Sequence, residues 1–283
     1  MRGIYEEYRR KLRTPEEAVR VVKSGDWVDY TTALGFPILL DAALAKRRDE
    51  LWDVKLRGNL SFGPVQTVEC DPGREHFHYN SWHCSAYERK LCDRGLCNFI
   101  PMLFRNVVPY YRRFLTVNVV MVSVTPMDKH GYFNFSCAGG IARGIAECAD
   151  VVILEVNERL PRILGGFDES IHISEADFVV EGEHPPLPEF PVSPPSPEDR
   201  EIARWLVGQI PSGATLQLGI GGMPNTVGAL LAESDLEDLG MHTELCGDAY
   251  FHLAQAGKLT NRRKSYQRNK GVSGIFFGSG GFY

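Results

Sequence analysis

Two apolar runs constrain the fold of this 283-residue chain more than any other feature: VNVVMVSV at 117–124 and VVILEV at 151–156. Both are rich in β-branched residues and lack the polar alternation of a half-exposed strand. Each therefore suits a strand buried on both faces, as in a parallel sheet covered by helices. The intervening stretch 141–148 reads as a helix, and strand, helix, strand in succession is the pattern of an α/β fold. The same rhythm begins earlier. Thr14-Pro15-Glu16-Glu17 is a helix start, with a hydroxyl cap, proline at the first helical position and Glu17 placed to cap in return. Ala18, Val19, Val21 and Val22 give that helix an apolar face, and Gly25 closes it. Strands are expected at 26–30 and 54–60, with a helix at 38–46 between them.

Residues 183–198, EHPPLPEFPVSPPSPE, hold seven of the 17 prolines. That density excludes a helix interior or a central strand and favours extended chain. It divides the sequence into a first domain over 1–183, a Pro-rich linker over 184–198 and a second domain over 199–283. In the second, helix is expected at 199–209, strand at 214–218, a glycine loop at 219–224 and helix at 225–232. Strand at 241–246, helix at 250–256 and a last candidate strand at 275–277 follow. Both domains read as open, mostly parallel α/β structures.

The formal net charge is −5, and no basic stripe offers itself to a phosphate backbone, so no nucleic-acid partner is expected. The most basic stretch, 262–270, reads as a solvated loop. Seven cysteines, Cys70, Cys84, Cys92, Cys97, Cys137, Cys148 and Cys246, show no paired CxxC spacing. Neither a disulfide framework nor a metal site is therefore expected. The N-terminus is charged and amphipathic without an apolar signal-peptide core, and no run approaches the roughly 18 apolar residues of a membrane span. A cytoplasmic protein without membrane contact is expected.

The segment LQLGIGGMPN at 216–225 sets Gly219, Gly221 and Gly222 at the end of an apolar strand. Glycines there let the backbone approach a ligand, and free N–H groups at a helix start favour negative charge. A tight turn with no ligand stays open as the alternative. The third glycine of a dinucleotide fingerprint would fall on Pro224, and no GK[ST] follows, so neither NAD nor ATP is implied. The next strand carries Glu244, flanked by His242, Thr243 and Asp248. Both features lie at strand carboxyl ends, where doubly wound sheets gather ligands. Asp248 reads as the cap of the following helix.

Taken together, LQLGIGGMPN and DLGMHTELCGD resemble the acetyl-CoA hydrolase/transferase family, including its butyryl-CoA:acetate and 4-hydroxybutyrate CoA-transferases. SGDWVDY, FHYNSWHCSAYERK, TPMDKHGYFNFS and VVEGEHPP resemble it too, in order and spacing. The resemblance implies two open α/β domains of the CoA-transferase type, the second incomplete here because members continue past the position of Tyr283. It implies Glu244 as the catalytic nucleophile and Gly219, Ile220, Gly221, Gly222, Met223 and Pro224 as the CoA-binding loop. It implies an acyl-CoA and a short-chain carboxylate as substrates, with coenzyme A as substrate and covalent intermediate and no tightly bound cofactor or metal. As partner it implies a second copy or a chain supplying the missing C-terminal part. An acyl-CoA hydrolase and an inactive CoA-binding or subunit-interaction protein are the alternative functions. In the first domain, Asn80, His83 and Asn134, polar within apolar segments, are candidate walls of the substrate pocket. Tyr132, Phe133 and Phe135 read as core, and His172 as structural.

Overall fold

The computed structural model describes residues 2–166, 168–190 and 194–283. The chain forms two compact units, Met1–Leu187 and Pro188–Tyr283. Among the described residues of the first, eight strands make one sheet: β1 (Leu12–Arg13), β2 (Trp27–Asp29), β3 (Val54–Gly58), β4 (Phe77–Ser81), β5 (Cys97–Phe99), β6 (Val117–Val124), β8 (Ala149–Val156) and β10 (Phe178–Glu181). Two short strands, β7 (Tyr132–Asn134) and β9 (Ser170–His172), pair antiparallel outside it. The order in the large sheet is β1-β10-β8-β6-β2-β3-β4-β5, and every pair is parallel.

The apolar runs behave as a doubly covered sheet demands. In β6, Val119 and Met121 enter one buried cluster with Val28, Leu56, Leu40 and Tyr79. Val120, Val122 and Val124 enter another with Leu154, Ile141 and Phe133. Burying each such side chain contributes roughly 1.5–3 kcal/mol, so the strand is anchored from both faces.

The buried charged groups Asp29, Arg57, Glu155 and Asp41 are met from within this unit. Arg57 Nη2 donates to Asp29 Oδ2 at 2.7 Å, the Tyr111 hydroxyl donates to the other Asp29 oxygen, and the guanidinium lies 4.6 Å from the Trp27 ring centre. Burial pushes the Asp29 carboxyl up, against the pull of Arg57 and Tyr111. Glu155 accepts from the Leu39 and Leu40 N–H groups and pairs with His184 at 2.9 Å. Asp41 accepts from Gln66 and Thr67, and burial raises its carboxyl to about 6.

In the second unit, β11 (Thr215–Leu216), β12 (Gly240–Cys246) and β13 (Val272–Phe276) form a parallel sheet with β12 in the middle. Leu216 and Met241 pack with Ala203, Val227, Leu231, Tyr250 and Leu253 from the helices Pro197–Val207, Gly222–Glu233 and Asp248–Gln255. Both ends of the Pro-rich segment are held. His184 is pinned to Glu155 in the first unit, while the Phe190 N–H donates to Gly278 in the second and Ser196 caps the helix Pro197–Val207. Positions 191–193 of the expected linker lie outside the described residues.

Several boundaries differ from expectation. The Thr14 capping box is present, but α-helix runs only over Pro15–Ala18 before a 3-10 turn, Val19–Val21. The β-branched valines that give the apolar face also resist the helix. Ser196 and Asp199 cap each other, so the first helix of the second unit starts at Pro197 rather than 199. The basic stretch is not simply solvated. Lys264 is buried, donating to the carbonyls of Met241 and Lys270, and Arg262 and Arg263 pair with Asp238.

Candidate functional site

The carboxyl ends of β11, β12 and β13 surround a cavity of about 160 Å³ lined by Phe190, Ile220, Gly221, Asn225, Gly247, Asp248, Phe277 and Gly278. Two helices start at it. The helix Gly222–Glu233 begins after Gly221, whose φ of +114° and ψ of −179° are open to glycine alone, and no side chain caps its first N–H groups. Gly222, Met223 and Pro224 are thus the first helical turn, not loop as expected. Proline costs nothing there, because first-turn N–H groups have no intrahelical acceptor. The helix Asp248–Gln255 begins after Gly247, also without a side-chain cap. The two helices touch closely at Gly228, where a Cβ would meet the Ala249 Cβ at 2.6 Å. Two helix N-termini therefore face one cavity, that of Gly222–Glu233 with the partial positive charge of its free N–H groups and that of Asp248–Gln255 with the Asp248 carboxylate in its first turn.

Asp248 does not cap its helix as expected. It is the first helical residue, and its carboxylate accepts from the Ser279 N–H and hydroxyl, with Oδ1 2.6 Å from Ser279 Oγ. It thereby ties the segment after β13 to the cavity wall. The Tyr250 hydroxyl donates to the Leu216 carbonyl and accepts from the Leu218 N–H, fixing the chain where β11 gives way to the glycine loop. Sequence reasoning missed the parts played by Tyr250, Phe190 and Asn225. An aromatic hydroxyl in an apolar helix was the available signal for Tyr250.

Glu244 stands two residues before the end of β12. Along that strand Met241 and Thr243 are buried while His242 and Glu244 are exposed. The register that pairs Thr243 with Ser273 and Leu245 with Ile275 sets Gly274 opposite Glu244. No neighbouring side chain on β13 covers it. Among the described residues the Glu244 carboxylate makes no hydrogen bond or ion pair, and its backbone carbonyl accepts from the Ser273 hydroxyl. Glu244 does not itself line the cavity, which opens beyond the end of its strand. Thr243 is turned inward and donates to Leu218.

The first-unit candidates occupy other settings. The buried Asn80 amide donates to Leu56 and His78 and accepts from Asn98, bracing β3, β4 and β5. The buried Asn134 amide donates to Ile163 and accepts from the Ser136 and Ile163 N–H groups. His83 is exposed. Phe133 and Phe135 are core, whereas Tyr132 is 44% exposed, against expectation, because it stands over His172 at the unit's surface. His172 caps the turn Ile173–Glu175.

The cysteine spacing gave no reason to expect a metal site, yet folding brings Cys84, Cys92 and Cys97 together with their sulfurs within 4.8 Å of one another. No helix among the described residues is long and apolar enough to cross a membrane.

Comparison with known proteins places this geometry. The butyryl-CoA:acetate CoA-transferase of Anaerostipes caccae is 47% identical over 265 residues, covering 93% of this chain and 59% of that protein. The 4-hydroxybutyrate coenzyme A transferase of Clostridium kluyveri is 32% identical over 98% of this chain and 63% of its own length. RipA from Yersinia pestis superposes with a TM-score of 0.90 at 32% identity, over 98% of this chain and 65% of that one. The α/β CoA-transferase fold expected from the sequence is thus present. The chain spans about three fifths of the length of the curated relatives it matches. The sequence model of the acetyl-CoA hydrolase/transferase N-terminal domain matches residues 1–191, and the chain belongs to the acetyl-CoA hydrolase/transferase family.

Proposed function

We propose that this chain carries the nucleophile of a CoA-transferase that moves coenzyme A between a short-chain acyl-CoA, such as butyryl-CoA, and a carboxylate, such as acetate. The supporting observation is the Glu244 carboxylate, exposed and unpaired near the carboxyl end of the central parallel strand, next to two uncapped helix N-termini. The names of the relatives at 47% and 32% identity point the same way.

The chemistry follows from a carboxylate nucleophile. A Glu244 oxygen attacks the thioester carbonyl, the C–S bond breaks, and a mixed anhydride and CoA thiolate result. The thiolate then attacks the glutamyl carbonyl and expels the acyl group as its carboxylate, leaving a glutamyl-CoA thioester. The incoming carboxylate reverses both steps. Each addition builds negative charge on a carbonyl oxygen. Gly219, Ile220, Gly221, Gly222, Met223 and Pro224 are the proposed CoA-binding and oxyanion-stabilising stretch, through backbone N–H groups at the helix start. Asn80, His83 and Asn134 stay proposed substrate-pocket residues of the first unit, although the two asparagine amides are engaged within that unit. Assembly with a second copy is part of the proposal.

The test is peptide mapping after incubation with butyryl-CoA and borohydride reduction of any enzyme thioester. A reduced residue at position 244, absent from Glu244→Ala, is the expected result. Labelling at another residue, or label surviving in the variant, overturns the assignment of the nucleophile. A folded chain that never labels supports a non-catalytic CoA-binding or subunit-interaction role instead. Release of free CoA without an added carboxylate acceptor supports hydrolysis.

A further inference from the structure

The cysteine cluster lies at the edge of the first unit's sheet, and no part of the proposed transfer chemistry uses it. Cys84 follows β4, Cys92 sits in the last turn of the helix Ala86–Asp93, and Cys97 opens the edge strand β5. The three sulfurs lie within 4.8 Å of one another, and those of Cys84 and Cys92 are 3.8 Å apart. Four sulfurs held tetrahedrally at the usual Zn–S distance of about 2.3 Å are about 3.8 Å apart along each edge. One edge of the cluster already has that length, and the others need to close by about 1 Å or less.

We propose that Cys84, Cys92 and Cys97 form a three-thiolate site for a thiophilic d10 cation such as Zn²⁺, with its fourth position open to solvent. Binding balances simply: three neutral thiols and one Zn²⁺ give a complex of net charge −1 and three released protons. Glu88 does not supply a fourth ligand, because its carboxylate accepts from the Ser85 and Ser61 N–H groups and the Tyr79 hydroxyl. The Ser81 hydroxyl is fully buried without a hydrogen-bond partner of ordinary geometry, between the Cys84 thiol and the Glu88 carboxylate. A thiolate at Cys84 would offer it a second acceptor beside Glu88. Metal-bound sulfur commonly accepts such outer hydrogen bonds, which orient the ligand.

A Cys84–Cys92 disulfide fits less well. Ser85 caps the helix, so seven residues of helix rise separate it from Cys92, about 10.5 Å at 1.5 Å per residue. Even if the chain doubles straight back for its last 3.8 Å step, the Cα atoms of Cys84 and Cys92 stay about 7 Å apart. That is at the outer limit of disulfide geometry. A bridging cation relaxes the constraint by inserting two bonds between the sulfurs. Its structural consequence is to clamp the edge strand β5 to the helix before it.

The experiment titrates the metal-free 283-residue chain with Zn²⁺ against a chromophoric chelator and maps thiol alkylation by mass spectrometry with and without the metal. The expected result is one Zn²⁺ per chain, with Cys84, Cys92 and Cys97 protected and the half-buried Cys70 and Cys148 alkylated at unchanged rates. Cys92→Ser should lower the affinity by more than the roughly 10–100-fold that loss of an outer partner costs, while Cys148→Ser leaves it unchanged. If Cys92→Ser fails to fold, the protection pattern of the unaltered chain still decides. Absence of stoichiometric binding, or protection at other cysteines, overturns the proposal. So does rapid formation of a Cys84–Cys92 disulfide with glutathione disulfide in a chain that takes up no Zn²⁺.

Discussion

In the first unit Asp29, Asp41, Arg57, Glu88 and Glu155 are all buried, and each is met by donors or acceptors of that unit. In the second, the carboxylate with the strongest claim to chemistry, Glu244, is exposed and unpaired, and the helix starts near it have no side-chain caps. The first unit uses these charges in its own architecture; the second pairs Asp248, Asp238 and Lys264 internally and leaves Glu244 free. A nucleophile bound into an ion pair would have to break it before reacting, whereas a structural charge left unpaired in a core would cost several kcal/mol. The contrast is therefore one of purpose, and it can be measured.

The largest expected effect is on the structural side. Arg57→Met removes one partner of a pair whose side chains are 2% and 1% exposed, leaving Asp29 buried without its counter-ion. A loss of about 3–5 kcal/mol is expected, read from urea unfolding followed by hydrogen exchange in the first unit. A loss below about 1 kcal/mol would break the comparison.

Asp41 tests the same idea through pH. Its folded pKa of about 6 lies above the ordinary value of about 3.9. The folded state thus holds the proton more tightly, and this contribution is fully present below about pH 4 and lost as pH rises through about 6. Relative to Asp41→Asn, the native chain should lose roughly 3 kcal/mol between those limits. Unfolding titrations of both chains at pH 4 and pH 6.5 check it, and parallel curves would remove Asp41 from the account.

In the second unit, Gly221→Ala forces a side chain onto φ +114° and should cost about 1–3 kcal/mol. Because no atom lies within 4 Å of the added Cβ, the loss is purely conformational. Exchange of amides in the helix Gly222–Glu233 should quicken, while those in β6 stay unchanged. The smallest effect sharpens the comparison most. Glu244→Gln should leave unfolding within about 0.5 kcal/mol of the native chain while abolishing labelling by butyryl-CoA. A marked destabilisation would mean that Glu244 is structural.

Much of the fold could be read before folding was known. The strand at 117–124 was legible residue for residue, because a strand covered on both faces leaves no polar alternation to blur its ends. The capping box at Thr14 was legible because its donors and acceptors are three residues apart. What was hidden depended on distant partners. β1 is two residues long and pairs with β10, 167 residues on, so it has no periodicity of its own. The helix at Gly222 began earlier than expected because three glycines read as loop, while the φ of Gly221 allowed the turn to finish sooner. The cysteine cluster draws on a loop, a helix and an edge strand, and its spacings of eight and five match no local metal motif. At the site, the glycine stretch and Glu244 lie near the ends of two successive strands, and it was the resemblance of their motifs to those of the family, not periodicity, that marked them. The inward turn of Asp248 toward Ser279 could not be picked out, since Ser279 lies 31 residues away.

The pairing of β1 with β10 also bears on how the molecule is made. Leu12 lies beside Val179, so the first strand to leave the ribosome has no neighbour until the last strand of its sheet has followed. At about 5–20 residues per second, that wait lasts roughly 8–35 s. Meanwhile the nascent chain holds β2, β3 and β6 ready to pair and an N-terminal segment with nothing to pair against. β1 covers β10 just before the Pro-rich segment emerges, so every strand of the large sheet is out before the second unit follows.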